Sequence, residues 1–255
     1  MKKNKIIWIS GGSTGIGKST AKKFIEKNWT VAASARNMEN LNILKNDIEK
    51  KYPNNKLYIF QCDIRDKDNV EKTVEKIEKD VGNIDIALLN AGTTHPYSNE
   101  FNLDYYNHVV STNINGTLNC INSIYPRFKK RKFGHLSIVS SMVGYRGLPT
   151  ASAYTMSKAA LINLAESLFF DLRKIGVRVT IINPGFIDTP LTEKNNFPMP
   201  FLKSPEYAAE KIYNGLIRGK NFEVVFPLSW FFIMKILRLL PYRIYFYIVS
   251  KLTGL

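Results

Sequence analysis

Residues 5–19 read Lys5-Ile6-Ile7-Trp8-Ile9-Ser10-Gly11-Gly12-Ser13-Thr14-Gly15-Ile16-Gly17-Lys18-Ser19. A short apolar run enters a glycine-rich turn, and Ala21, Phe24 and Ile25 continue beyond it at helical spacing. Strand, glycine turn and helix together build a phosphate site. The glycines let main chain approach the ligand, and the helix N-terminus offers free N–H groups and a partial positive charge. The pyrophosphate of a dinucleotide is the natural occupant. The spacing, Gly11-x-x-x-Gly15-x-Gly17, differs from Gly-x-Gly-x-x-Gly and is not a Walker A loop. A turn that needs glycine only for its own backbone is the competing reading.

Outward from this stretch, apolar strand-like runs at 6–10, 30–34, 57–61, 84–89, 135–140, 177–182 and 223–226 alternate with helical patterns. Seven strands with intervening helices predict a doubly wound parallel sheet, α/β in class, covered on both faces. The length of 255 residues, 45% of them hydrophobic, suits one such domain over residues 1–225 followed by an apolar tail, 226–255. Ligands of these sheets bind at the carboxyl ends of the strands.

A second constellation is Tyr154 and Lys158, four residues apart and so on one face of a helix. A phenol, with pKa about 10, is a poor acid at neutral pH, but an adjacent ammonium stabilises the phenolate and helps it exchange a proton with a carbonyl or alcohol oxygen. Such pairs also occur on ordinary solvated helices, so the pair gains meaning only beside the glycine turn.

Together, the glycine turn and the Tyr154/Lys158 pair resemble the short-chain dehydrogenase/reductase family over residues 5 to about 225. Further stretches fall where that family places its signatures. Asp63 and Ile64 match the adenine-contacting segment, and Asn90-Ala91-Gly92 matches the turn that supports the central sheet. Asn113 matches the catalytic asparagine, and Ser141, thirteen residues before Tyr154, the catalytic serine, with Ser140 as the register-shifted alternative. Pro184, Gly185, Ile187 and Thr189 match the segment that lines the nicotinamide. Ser10 stands where threonine is common before the first glycine. Taken singly, each of these polar residues could merely satisfy backbone at a turn or strand end.

The resemblance implies a Rossmann fold and hydride transfer between nicotinamide and a carbonyl or secondary alcohol. Tyr154 would exchange the proton, and Lys158 would favour the phenolate and hold the nicotinamide ribose. Ser141 would donate to the substrate oxygen, and Asn113 would order a water beside Lys158. Gly11, Ser13, Thr14, Gly15, Ile16 and Gly17 would take the phosphates. Ala35 occupies the position where NAD-preferring members tend to carry Asp, and Arg36 follows it. A guanidinium suits a 2′-phosphate, which predicts NADP (NADPH), with Ser13 and Asn37 as secondary contacts. The resemblance also implies a homodimer or homotetramer and a mobile substrate lid at 190–205.

Cys62 and Cys120 lack metal-ligand spacing and the three histidines are scattered, which predicts no metal and a reducing compartment. The basic N-terminus does not read as a signal peptide, so a cytoplasmic location is expected. The net charge of +15 is spread along the chain, and no nucleic-acid motif accompanies it. From 224 onward the chain is rich in apolar and aromatic residues, broken by Lys235, Arg238, Arg243 and Lys251, with Pro241 interrupting the helical pattern. It is too interrupted to span a bilayer. Two readings stay open for it: a helix lying peripherally at the inner membrane surface, or a tail packed over the substrate pocket or a subunit interface. Either favours a small, apolar carbonyl or alcohol substrate. Two functional alternatives accompany the oxidoreductase reading. One is a catalytically idle NADP-binding module in protein or membrane association; the other, which the short chain disfavours, is an epimerase or dehydratase.

Overall fold

The computed structural model describes residues 5–54, 56–94, 101–193, 195 and 198–254. Seven strands, β1 (Ile6–Ser10), β2 (Thr30–Ala35), β3 (Leu57–Gln61), β4 (Ile86–Leu89), β5 (Gly134–Val139), β6 (Val177–Pro184) and β7 (Glu223–Phe226), form one sheet in the order β3-β2-β1-β4-β5-β6-β7. Every pairing is parallel. β1, β2, β4 and β5 are buried at every position, which is why they read as unbroken apolar runs rather than as alternating strands. Only the edge strands β3 and β7 carry partly exposed residues over most of their length.

Side chains on one strand still alternate between the faces. Ile7 and Ile9 point into a core shared with α1 (Gly15–Glu26), α2 (Met38–Lys51) and α7 (Pro205–Ile217), through Phe24, Leu44 and Ile212. Trp8 points the other way, toward α3 (Lys67–Asp80), α5 (Gly116–Arg131) and α6 (Ser152–Arg173), through Val74, Ile124 and Leu161. Its indole N–H donates to Ser34 Oγ at 2.9 Å, so the polar edge of the ring is satisfied inside the core. α4 (Leu103–Val109) runs into a π-helical turn, Val110–Asn115, and then α5.

The chain reverses direction about the sheet between β1 and β4, and their carboxyl ends open the crevice where ligands of such sheets bind. Beyond β7 come α8 (Leu228–Leu239) and α9 (Tyr242–Thr253), separated at Pro241, which can begin a helix but not continue one. Of the segment 190–205, residues 194, 196 and 197 lie outside the described residues. Among the described residues, no helix is long and apolar enough to cross a membrane.

Candidate functional site

The turn after β1 is packed against the turn after β4. Gly11 has φ +67°, and a Cβ there would stand 2.7 Å from Ala91 Cα. A Cβ on Gly17 would lie 2.1 Å from Gly11 O and 2.6 Å from Asn90 Nδ2. Asn90 Nδ2 donates to Gly11 O at 3.0 Å and Ser10 O at 3.3 Å, while Ser10 Oγ accepts from the N–H groups of Asn90 and Ala91 at 3.1 and 3.3 Å. The serine hydroxyl at position 10 thereby ties β1 to β4. Thr14 enters α1 in an extended conformation and makes no side-chain cap, and the first turn of α1 holds no acid. Its N-terminal amides and dipole therefore face the crevice uncompensated.

The crevice has a volume of about 400 Å³ and runs from Arg36 and Asp63 at one end, past Gly11, Ser13, Gly15 and Ile16, to Tyr154 and Lys158 at the other. Ile64, Ala91, Gly92, Ser141, Pro184, Gly185, Ile187 and Thr189 also line it. Gly17 and Asn113 stand behind the wall and shape it. At the first end, Arg65 grips the Asp63 carboxylate through Nε at 3.0 Å and Nη2 at 2.6 Å, holding that carboxyl below its usual range. Asn69 Oδ1 accepts from the Asp63 N–H at 2.7 Å. Arg36 is exposed and forms no salt bridge among the described residues, and its charge adds to that of Arg65 in lowering the Asp63 carboxyl. Asn37 Oδ1 caps α2 by accepting from Asn40 N at 2.9 Å, so this oxygen is already engaged.

At the other end, α6 carries Tyr154 and Lys158 on one face, with Lys158 Nζ 5.5 Å from the centre of the Tyr154 ring. Lys158 is 4% exposed and donates to Val139 O at 3.1 Å. Asn113 is fully buried in the π-helical turn, an irregularity often found at functional sites. Its Oδ1 accepts from Thr93 N at 2.7 Å, and its Nδ2 donates to Thr93 O and Ser157 Oγ, both at 2.9 Å. A Cβ on Gly92 would stand 3.3 Å from Asn113 Oδ1 and 3.5 Å from Lys158 Nζ, so a glycine here leaves open the space between them. The two serines diverge. Ser140 Oγ donates to Lys158 O at 2.7 Å and pins β5 to α6. Ser141 Oγ donates to Pro184 O at 3.2 Å and lines a second, smaller cavity beside Tyr154.

Burial pushes the Lys158 ammonium down from 10.5 to about 8. Below pH 8 the folded protein carries the cost of burying the charge, on the order of a few kcal/mol. Between about pH 8 and 10.5 the unfolded chain binds the proton and the folded chain does not, so this group's contribution to stability rises with pH. Lys158→Met should therefore exceed wild type in stability most near neutral pH, with the gap closing toward pH 10.5. Urea denaturation of both proteins over that range tests this; a gap independent of pH contradicts it.

Spacing pointed to none of the residues that support these groups: Arg65, Asn69, Thr93 and Ser157. Thr192 is another, since its hydroxyl donates to Ile187 O at 2.6 Å and accepts from Thr189 N at 3.0 Å, knotting the 187–192 turn. Thr189 in turn sits against Gly15, where a Cβ would meet its Cγ2 at 3.0 Å, closing the crevice from above. Trp230 of α8 is a further addition. It lines the smaller cavity with Val143, Phe186 and Leu191, its ring centre 5.8 Å from that of Phe186. The only hint of it in the sequence was the aromatic density of the tail.

The inner side of α8 packs onto the body. Met234 is fully buried, and Phe231 and Leu237 pack on the core. Glu223 accepts from Asn183 Nδ2 at 2.6 Å and from Tyr145 Oη, and Lys235 Nζ stands 3.7 Å from its other oxygen. Arg146 lies 4.4 Å from the ring centres of both Tyr242 and Tyr245, and Tyr245 Oη donates to Gly147 O.

A doubly wound sheet with a glycine turn at its switch point and a Tyr/Lys pair at the far end of one crevice defines a nucleotide-dependent oxidoreductase class. A family model described as short chain dehydrogenase matches residues 5–199, and the chain belongs to that family. An "Uncharacterized oxidoreductase" of Myxococcus xanthus is 34% identical over 222 residues, 86% of each chain. A Staphylococcus epidermidis protein, also an "Uncharacterized oxidoreductase", is 29% identical over 196 residues, 76% of this chain and 83% of that one. Among solved structures, ElxO with NADP bound superposes with TM-score 0.76 at 24% identity, covering 88% of this chain and 97% of that one. The 3-ketoacyl-(acyl-carrier-protein) reductase from Brucella melitensis complexed with NADH gives TM-score 0.80 at 21% identity, with 88% and 97% covered. These structural likenesses speak to the fold. The chain is an oxidoreductase by family membership.

Proposed function

We propose that this chain reduces the carbonyl group of a small, largely apolar substrate at the expense of NADPH, with Tyr154, Lys158, Ser141 and Asn113 as its catalytic group. The observation that carries the reading is one crevice with an exposed guanidinium, Arg36, that forms no salt bridge among the described residues, at one end and Tyr154 above a buried lysine at the other. The residues between them suit a dinucleotide: glycines where side chains would collide, and an uncapped helix N-terminus for the pyrophosphate. When bound, NADPH supplies the hydride that adds to the carbonyl carbon.

Tyr154 donates its phenolic proton to the carbonyl oxygen as negative charge develops there. The Lys158 ammonium stabilises the phenolate left behind and binds the nicotinamide ribose. Ser141 donates to the same substrate oxygen; having one proton, its hydroxyl gives up the bond to Pro184 O to do so. Asn113 holds the main chain at Thr93 beside Lys158, where water can return a proton to the site. Val143, Phe186, Leu191 and Trp230 around the small cavity support an apolar substrate. Exposed Leu118, Met156 and Phe170 on α5 and α6 support self-association as a homodimer or homotetramer.

Purified protein should oxidise NADPH faster than NADH over a panel of ketones and aldehydes of graded hydrophobicity, with kcat/KM rising along the apolar series. Preference for NADH, or for polar substrates, overturns the corresponding part. Arg36→Ala should lower kcat/KM for NADPH about ten- to a hundredfold, the worth of a charge-assisted phosphate contact, and leave NADH nearly unchanged. Equal losses with both nucleotides would remove Arg36 from 2′-phosphate recognition.

A further inference from the structure

α8 and α9 present two faces, and only one is accounted for. Inward lie Trp230, Met234, Tyr245 and Val249. Outward, Leu228, Phe232, Ile236 and Leu239 fall on one stripe of α8 and are exposed together with Ile244 of α9, Leu239 by 84% and Ile236 by 60%. Isolated exposed apolar side chains are common on soluble proteins, but five large ones, four of them on one stripe of α8, are a concentration of the kind that marks an interaction surface.

Charge selects the occupant. Residues 228–255 hold Lys235, Arg238, Arg243 and Lys251 and not one Asp or Glu. The last acidic side chain before this segment in sequence, Glu223, is turned inward to Asn183, Tyr145 and Lys235. Arg243 and Lys251 stay exposed beside the apolar side chains, and Tyr242 and Tyr247 add rings that are apolar in body and polar at the tip. A second copy of this face would bring like charges together across a low-dielectric contact, which is unfavourable. An anionic surface with an apolar interior matches both properties, and helices with this composition lie in the plane of a lipid interface.

We propose that the outer face of α8 and α9 docks on anionic lipid, with the five apolar side chains entering the headgroup–acyl boundary and the cations meeting the headgroups. The face needs no rearrangement of the inner contacts. It also places Trp230 on the helix that meets the lipid, so the small cavity and the docking face share one element.

The test is co-sedimentation of the full chain with phosphatidylcholine vesicles and with mixed phosphatidylcholine–phosphatidylglycerol vesicles. Binding to the mixed vesicles only, weakened by salt, is expected. A triple variant, Phe232→Ser, Ile236→Ser and Leu239→Ser, keeps every charge and should lose most of that binding. Arg243→Glu with Lys251→Glu should weaken it at least tenfold, given about fivefold per charge near an anionic surface. Thermal melting establishes that both variants stay folded, and neither alters the crevice, so NADPH oxidation reads the enzymatic proposal independently. Binding by the triple variant equal to wild type would mean nonspecific attraction by a +15 protein and overturns the proposal. So does a wild type that ignores vesicles, whether the face then proves on sizing to join two copies or to capture an acidic protein.

Discussion

Tyr154→Phe should lower turnover in the proposed NADPH-dependent reduction about 10²- to 10⁴-fold, the range over which a positioned general acid contributes. The substitution removes one oxygen and leaves the ring, so the packing of Tyr154 on α6 above Lys158 is kept. Nucleotide binding should survive, because the glycine turn, Arg36 and the 184–189 segment are untouched. The measurement is therefore paired: steady-state turnover, and NADPH affinity by fluorescence or calorimetry. Lost turnover with retained affinity identifies Tyr154 as the proton donor. Turnover within a few-fold of wild type would mean that another group or solvent supplies the proton, and the assignment of α6 as the catalytic helix would fall.

The second large effect is structural. Gly17→Ala adds a methyl group 2.1 Å from Gly11 O, far inside contact distance, and 2.6 Å from the Asn90 amide that clamps β1 to β4. Neither neighbour is the free end of a flexible chain. Gly11 O is main chain, and Asn90 Nδ2 is held by two carbonyls. Overpacking a well-packed core costs about 1–3 kcal/mol, and a main-chain collision belongs at or above the top of that range. We expect a midpoint lowered by several degrees and NADPH binding lost, because the turn that moves is the one that faces the phosphates. Gly147→Ala is the control: nothing lies within 4 Å of its added methyl, and it should melt with wild type. A Gly17→Ala protein of normal stability and affinity would show that the turn yields more easily than its contacts imply.

The sheet was legible because its strands are short apolar runs bounded by glycines and polar caps, a pattern local to each run. The observed strands begin and end within two residues of the expected ones; the differences of two are at β4, which starts at Ile86, and at β6, which runs on to Pro184 because β7 pairs with it as far as Phe226. Site residues with motif spacing, such as Gly11, Asn90, Tyr154 and Lys158, could be named from the chain alone, and they line one crevice. Their supporting contacts could not. Arg65 on Asp63, Ser157 on Asn113 and Glu223 on Asn183 join positions whose proximity depends on the folded arrangement, and arginine, serine or glutamate at those places is unremarkable as sequence. Asn37 shows a role that position alone did not reveal: it lines the crevice, and its side-chain oxygen also caps α2. The tail could not be divided into faces without knowing which side of α8 meets the body, since its apolar residues surround the helix almost completely.

The anchors of the proposed catalytic groups are mostly main-chain atoms. Lys158 is held by the carbonyl of Val139, Asn113 by the amide and carbonyl of Thr93, Ser141 by the carbonyl of Pro184, and Ser140 fastens the helix itself through the carbonyl of Lys158. A carbonyl or amide is present whatever side chain its residue bears. Replacements at 139 or 93 that preserve the path of the backbone leave these attachments in place, and replacements at 143, 186, 191 and 230 alter the small cavity without reaching them. On the proposed function, reactivity and substrate choice would be inherited separately in this chain: a laboratory could exchange the second, or descent could let it drift, while the first is carried forward intact.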